Sequence, residues 1–449
     1  MSRFSSQNNQ KRSAGAVKNR NRITLTCHQY QGSFQTSRMQ KSKSNDNNLS
    51  SIDFEYERNV NLSIQWNRWI LKPMGLWPNS SNVSRFDKCL YWLINAVCYF
   101  LIFYLIIPCG LYMVFDMENL YKEITLFGPL IFCVAAFVKY HWLIIRSDNI
   151  RECMEHIKWD WKNVEYIKDK DIMAMNANFA KRIVTICAIF MFTACTFYFL
   201  IIPLALRRIF IQTDNVTFIP VMYPFSSYIV DVRYSPINEI IFSIQFLAGV
   251  LINAITVGAC SLAAVLAVHA CGQMEVLICW LKHLVDGRPD IGNTVDERIG
   301  KIVSQHVRIL KFLTLMERTL RPISFAEFLA CTLNLCLVGY YIITEWNSRN
   351  ITITVGYVIL YTSLAFNIFI FCYIGELVAE QCKKVGETSY MIEWYRLAGK
   401  RKLFCILVMA MSNSSIKLTA GSMIELSIST FTDVVKTSVA FLNVLRKLT

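Results

Sequence analysis

Residues 240–268 read IIFSIQFLAGVLINAITVGACSLAAVLAV, an apolar run without a single Asp, Glu, Lys or Arg. A helix of roughly 20 apolar residues already crosses about 30 Å of hydrocarbon. Five further apolar runs, not all free of charge, lie at Cys89–Phe115, Ile124–Ile145, Ile183–Leu206, Ile323–Thr344 and Ile353–Gly375. A seventh, over residues 403–445, is broken. It begins at Leu403–Met411, pauses at Ser412–Ser415 and resumes from Gly421 to Leu445. The chain has 449 residues, 54% hydrophobic and only 17% charged, with a mean hydropathy of +0.35. Soluble domains are nearer about 25% charged. These features predict an all-α polytopic membrane protein with seven transmembrane helices in contact with the lipid bilayer.

The ends and loops orient the spans. Met1–Gly15 is polar and basic with no apolar core of a signal peptide, so the first span is expected to act as its own insertion signal. Residues 1–63, rich in Asn, Ser, Gln, Lys and Arg, read as a disordered N-terminal tail, leaving 64–449 as the seven-helix domain. The N-terminal 88 residues and the second–third, fourth–fifth and sixth–seventh connections hold 36 of the 46 Lys and Arg; the opposite connections and the tail hold seven. The positive-inside rule therefore predicts a cytoplasmic N-terminus and an extracellular C-terminus. The sequons at Asn215 and Asn350 fall on the predicted outside as possible glycosylation sites; those at Asn82 and Asn413 fall inside.

Other classes lose ground on the same residues. The net charge of +14 resides in the inner loops, which argues against nucleic acid as partner. The 16 cysteines are scattered, without a CxxC pair, and read as small buried hydrophobes; no metal site or cofactor is expected. There is no Walker loop, HExxH, GxSxG or dinucleotide fingerprint, so the chain is not read as an enzyme. A G-protein-coupled receptor is set aside by the inverted orientation, by the missing cysteine staple of the outer loops, and by the absence of DRY-like and NPxxY motifs.

The C-terminal stretch is more specific. Ser415-Ile416-Lys417-Leu418-Thr419-Ala420-Gly421 is followed by Leu426-Ser427-Ile428-Ser429-Thr430-Phe431-Thr432 and by Val435-Lys436-Thr437-Ser438. This resembles the tail signature of the insect odorant receptors, in which a KLTAG turn leads into a helix carrying LS-x-x-TF and KTS. Residues Trp66 to Pro78 look like the approach to the first span in the hymenopteran branch. Tyr223-Pro224-Phe225 with Ser235-Pro236 is similar to the outer loop before the fourth span, and His269-Ala270-Cys271-Gly272-Gln273-Met274 to that span's exit. Phe371 to Glu376, followed by Glu393-Trp394-Tyr395, matches the sixth-span exit.

The resemblance implies an odorant-gated, non-selective cation channel in the plasma membrane of an olfactory-neuron dendrite. Its tuning subunit binds a small volatile hydrophobic ligand and assembles with the odorant co-receptor as a heterotetramer. The co-receptor's long insertion has no room in the connection Ala270–Pro322, so the resemblance points to a tuning subunit. The N-terminal extension is longer than the family norm and reads either as a cytoplasmic tail or as an artefact of gene prediction. Gustatory-type receptors are the near alternative, but their usual tail signature is absent. A secondary transporter is the alternative from another class; those show helices broken in matching positions of two halves, and here only the seventh span is broken.

Site residues follow from orientation and from the resemblance. Outer-half aromatics Phe127, Phe197, Tyr198, Tyr357 and Tyr361 are ligand-pocket candidates, with Tyr357 and Tyr361 four apart on one helical face. Packing between helices and interfacial aromatic belts are the competing reading. In the last helix Asp433 and Lys436, three apart, share a face and suit an ion pair or a pore-side role. The resemblance puts the gate near Asn443, Val444, Arg446 and Lys447, the two cations being expected at the outer rim. Lys139 reads as snorkelling to cytoplasmic headgroups and His269 as structural. Within 299–320, Ile302, Ile309, Leu310, Leu313 and Met316 recur at helical spacing. The resemblance implies an inner extension joining Leu403–Met411 in a shared anchor; the competing reading is an amphipathic helix lying on the membrane surface.

Overall fold

The structure, a computed structural model, describes residues 54–77, 84–115, 120–207, 218–225, 232, 234–345, 351–413 and 417–448, with backbone alone for 120–125, 345 and 443–448. The chain divides into two units, Met1–Asn59 and Val60–Thr449. In the first, residues 54–59 are described and are helical. Residues 54–63, assigned by composition to the disordered tail, are thus helical; 1–53 lie outside the described residues.

The second unit is a helical bundle. It comprises α1 (60–71), α2 (Arg85–Phe115), α3 (Leu120–Ile145), α4 (Ser147–Asn163), α5 (Ile167–Thr196), α6 (Ile237–Lys282), α7 (Val295–Glu345), α8 (Ile351–Met391), α9 (Leu403–Asn413) and α10 (Ile428–Leu448). A π turn at Phe197–Ile201 continues α5. Among the described residues, six helices are long and apolar enough to cross a membrane, matching the first six predicted spans. Four of them overrun their apolar runs by more than a turn or two: α6 and α8 extend to Lys282 and Met391, and α5 and α7 begin at Ile167 and Val295. The overrun joins the amphipathic stretch 299–320 to the fifth span through Pro322. Ile302, Ile309, Leu313 and Met316 of that stretch are buried in the bundle rather than turned to a membrane surface.

Helix α6 is the axis. Its most apolar window is 83% buried, against 22% for α2, and it packs along α5, α8, α7 and α3. Small residues permit this. A Cβ at Gly258 would stand 2.8 Å from the Leu71 side chain. Close approach at small residues is the usual basis of helix association in lipid.

One polar cluster crosses this apolar centre. Lys139 of α3 donates to Glu327 of α7 at 2.5 Å and to Thr256 Oγ1 of α6 at 2.7 Å. Asn367 of α8 and Cys331 donate to the other Glu327 oxygen. Lys139 and Glu327 are essentially inaccessible. The expectation that Lys139 snorkels is therefore corrected: with a carboxylate on the facing helix, the ammonium is neutralised inside the bundle and does not reach for headgroups.

At the end of the bundle where Lys and Arg concentrate, further pairs tie helices together. Arg288 bridges Asp169 (2.6 Å) and Asp290 (2.7 Å), with Trp280 donating to Asp169. Asp160 of α4 receives Arg308 of α7 and His269 of α6, both at 2.9 Å. His269 thus has a carboxylate partner that its sequence neighbourhood did not reveal.

The last span is split as expected, but its second part starts later. Residues 419–425 form a hairpin, Thr419–Ala420 paired with Ile424–Glu425. Gly421 (φ 65°) and Ser422 (φ 63°) are both left-handed, and Met423 N–H donates to Ala420 O. Two consecutive positive φ values make the primed turn that matches strand twist. Helix α10 then begins at Ile428, not Gly421.

Breaking either member of the Lys139–Glu327 pair leaves an uncompensated buried charge, which costs about 3–5 kcal/mol. Lys139→Met or Glu327→Leu alone should sharply lower the thermal stability of the purified protein, and the double variant should recover most of it. Two additive losses would contradict this account. His156 of α4 is held below its ordinary 6.5 by burial first and by the Arg308 cation second. Its neutral form is therefore the one the fold favours. Acidification below 6.5 protonates the unfolded state first, so this contribution is lost as pH falls. The decline in Tm below pH 6.5 should be shallower in His156→Asn than in the parent.

Candidate ligand cavity

Between α3, α5, α6, α7 and α8 lies a cavity of about 460 Å³. Small-molecule sites usually fall at roughly 300–1,000 Å³ and are walled mainly by apolar groups. The π turn after α5 presents Tyr198 and Phe199 to it; α7 gives Asn334, Val338 and Tyr341; α8 gives Ile353, Tyr357, Leu360, Ser363 and Leu364. Phe132 and Met191 contribute from α3 and α5, and Gly249 and Asn253 from α6. Widened π turns recur at functional sites.

The ring of Phe199 lies over Gly249, where a Cβ would stand 2.5 Å from its tip. Phe199 also stacks on Tyr223 with centroids 5.9 Å apart. Tyr341 and Tyr357 meet at 5.6 Å. The segment 218–225 closes one side and is held by carboxamides of α6. Asn238 accepts from Ile219 N and donates to Ile219 O, each at 2.8 Å. Gln245 does the same to Tyr223, accepting at 3.3 Å and donating at 2.5 Å. The Tyr223 hydroxyl is met by the Cys133 thiol at 3.2 Å. A larger hollow of about 900 Å³ lies at the other end of α6 and α8, but it is open and rimmed by Lys282, Lys383, Glu387 and Glu393. An apolar ligand is better served by the enclosed aromatic cavity.

Of the five pocket candidates, Tyr198 and Tyr357 stand in the wall and three do not. Phe127 lies between the wall residues Leu126 and Gly128, yet its side chain turns outward and is 48% exposed. Phe197 precedes Tyr198 on the π turn and lies near Gly356. Tyr361 packs with Leu337, Phe431 and Leu442 against the core where α7, α8 and α10 meet. Orientation gives depth along a span; the angle about the helix axis decides which ring faces inward. Tyr223, Phe199 and Tyr341 escaped sequence reading. Only the Tyr223-Pro224-Phe225 motif hinted at one of them.

Asp433 and Lys436 are both exposed on α10, and no ion pair joins them among the described residues. The charged pair at this end is Lys417–Glu425 at 2.8 Å, across the hairpin. Asn443, Val444, Arg446 and Lys447 continue α10, their side chains lying outside the described residues, as do Asn215 and Asn350. Phe431, Val434, Ser438 and Leu442 form the edge of α10 that packs inward. The docking point is Gly375 of α8, where a Cβ would stand 2.7 Å from Leu426 Cβ and closer still to the Leu426 carbonyl oxygen. The next residue, Glu376, accepts from Ile428 N–H and caps the first turn of α10. The hairpin is held to α7 as Thr419 donates to Glu317 and Gly421 N–H to Arg321 O.

The fold is thus a multi-span helical bundle enclosing an aromatic cavity. The profile of the 7tm odorant receptor family matches residues 119–439, and the chain belongs to that family. It is 25% identical over 191 residues to Odorant receptor 13a of Drosophila melanogaster, covering 40% of this chain and 46% of that one. With Odorant receptor 10 of Aedes albopictus the identity is 23% over 176 residues, covering 39% and 46%. The chain thus spans about half the length of these curated relatives. The fold matches the olfactory receptor OR5 of Machilis hrabei in complex with eugenol, with a TM-score of 0.72 at 15% identity, covering 88% of this chain and all of that one.

Gly375→Ala must push backbone against backbone, at a cost of about 1–3 kcal/mol. It should lower Tm by several degrees, whereas Gly110→Ala, with open space around its Cβ, should not. Equal effects would show that the docking contact is not limiting.

Proposed function

We propose that this chain is the odorant-binding tuning subunit of a heteromeric, ligand-gated, non-selective cation channel. In this reading it lies in the plasma membrane of an olfactory-neuron dendrite, with its N-terminus cytoplasmic. The observation that carries the proposal is continuity between the cavity and α10. Tyr341, Tyr357, Leu360 and Leu364 line the cavity, and they belong to the same packed cluster as Val434, Phe431 and Leu442 of α10. A ligand that repacks the cavity wall acts directly on that helix. The opposite face of α10, with Thr432, Asp433, Lys436 and Thr437, is polar and exposed, which suits a pore shared with other subunits. The charge asymmetry of the loops supports the orientation, and the short fourth–fifth connection supports a tuning role beside an odorant co-receptor. A gustatory-type channel would share most of this architecture; a secondary transporter would give saturable uptake in place of a gated current.

Voltage clamp of oocytes expressing the chain with and without an insect odorant co-receptor tests the proposal against a panel of volatiles. The expected result is a ligand-evoked cation current that needs both subunits and an epitope at Thr449 that antibodies reach on intact cells. An intracellular C-terminus would overturn the orientation. Substrate uptake without current would favour the transporter.

A further inference from the structure

Helix α6 carries three carboxamides along the side that meets the outer segment and the cavity: Asn238, Gln245 and Asn253. The first two spend both amide atoms on backbone groups of Ile219 and Tyr223. Asn253 does not. It is 4% exposed, stands in the cavity wall one turn after Gly249, and its Nδ2 has no hydrogen-bond partner among the described residues. Of the cavity's other polar side chains, Asn334 donates to Ala330 O at 2.9 Å, Ser363 to the Met191 sulfur at 3.0 Å, and the Tyr223 hydroxyl accepts from the Cys133 thiol at 3.2 Å. An unpaired buried amide costs about 1–3 kcal/mol, and a ligand that pairs with it recovers that energy.

We propose, resting on the receptor reading above, that the cavity selects an oxygenated ligand. It would be a mainly hydrocarbon molecule bearing one ketone, ester or hydroxyl oxygen, with the Asn253 carboxamide as its anchor. A carboxamide can donate or accept by turning over, so it serves a carbonyl or a hydroxyl. The aromatic and aliphatic wall takes the hydrocarbon part by dispersion. A pure hydrocarbon fills the same space and leaves the amide unpaired, which is the arrangement that sites built for a polar group reject. Tyr198, also in the wall, is the nearest competitor for this role.

The test is ligand-induced thermal stabilisation of the full chain in lipid nanodiscs, using methyl heptyl ketone and n-decane, which have the same number of heavy atoms, at matched lipid-phase concentration. The ketone should stabilise wild type at a concentration roughly 5- to 100-fold lower than the alkane. Asn253→Leu should erase that preference, bringing the two compounds to equal potency. Equal potency in wild type, a preference that survives Asn253→Leu, or no stabilisation by either compound would overturn the inference. Loss of the preference in Tyr198→Phe alone would overturn the assignment to Asn253. If Asn253→Leu does not fold, Asn253→Ser and the wild-type comparison decide. Because the assay needs no current, ketone-selective binding without channel activity would sink the channel reading and support this one.

Discussion

Lys139 and Glu327 hold together a bundle that otherwise has little to specify it. Apolar helices in lipid gain nothing from leaving water, so packing and a few internal polar contacts must choose their register. This pair, with Thr256, Asn367 and Cys331, joins α3, α6, α7 and α8 at one level. A buried charge tolerates only arrangements in which its partner is present. The Lys139 ammonium also lies 5.6 Å from the ring of Phe132, which lines the cavity. The same contact that sets helix register therefore adjoins the cavity wall.

From that centre the molecule divides its work by polarity. At one end, Asp160 and Asp169 gather Arg308, His269 and Arg288 into cross-helix pairs that hold long helical extensions together. At the other, the contacts are rings and small residues, with backbone clamps from Asn238 and Gln245. Rigid ion pairing suits an anchor. Dispersion contacts suit a wall that must adjust to a guest, because no single contact dominates.

The motif residues acquire physical reasons. Gly421 is required by a left-handed turn, and Gly375 by the Leu426 backbone lying on α8. Glu376 caps α10. The Gly375 contact and the Glu376 cap were not derivable from spacing, because each depends on a chain segment about 50 residues away, whereas the Gly421 turn is local. The three misplaced aromatics show the same limit. Phe127 sits at the depth expected of a pocket residue but on the wrong side of its helix, and Tyr361 shares a face with Tyr357 yet meets α10 instead of the cavity. Lys139 was misread because its partner is distant as well, 188 residues away.

What the sequence by itself determined is the first six apolar spans, the break in the last segment and the family. Hydrophobic length is a local property read without knowing any neighbour, and the tail motif is contiguous. What only the tertiary structure decided is which side chains meet. The cavity takes residues from five helices and one connecting segment, and its composition follows from the rotation of each helix about its own axis. A helix completes one turn in about 3.6 residues, so each step along the chain swings the side chain by about 100°. The contacts of α6 with its neighbours therefore settled that Asn253 looks into a cavity, while Asn238 and Gln245 hold the wall in place.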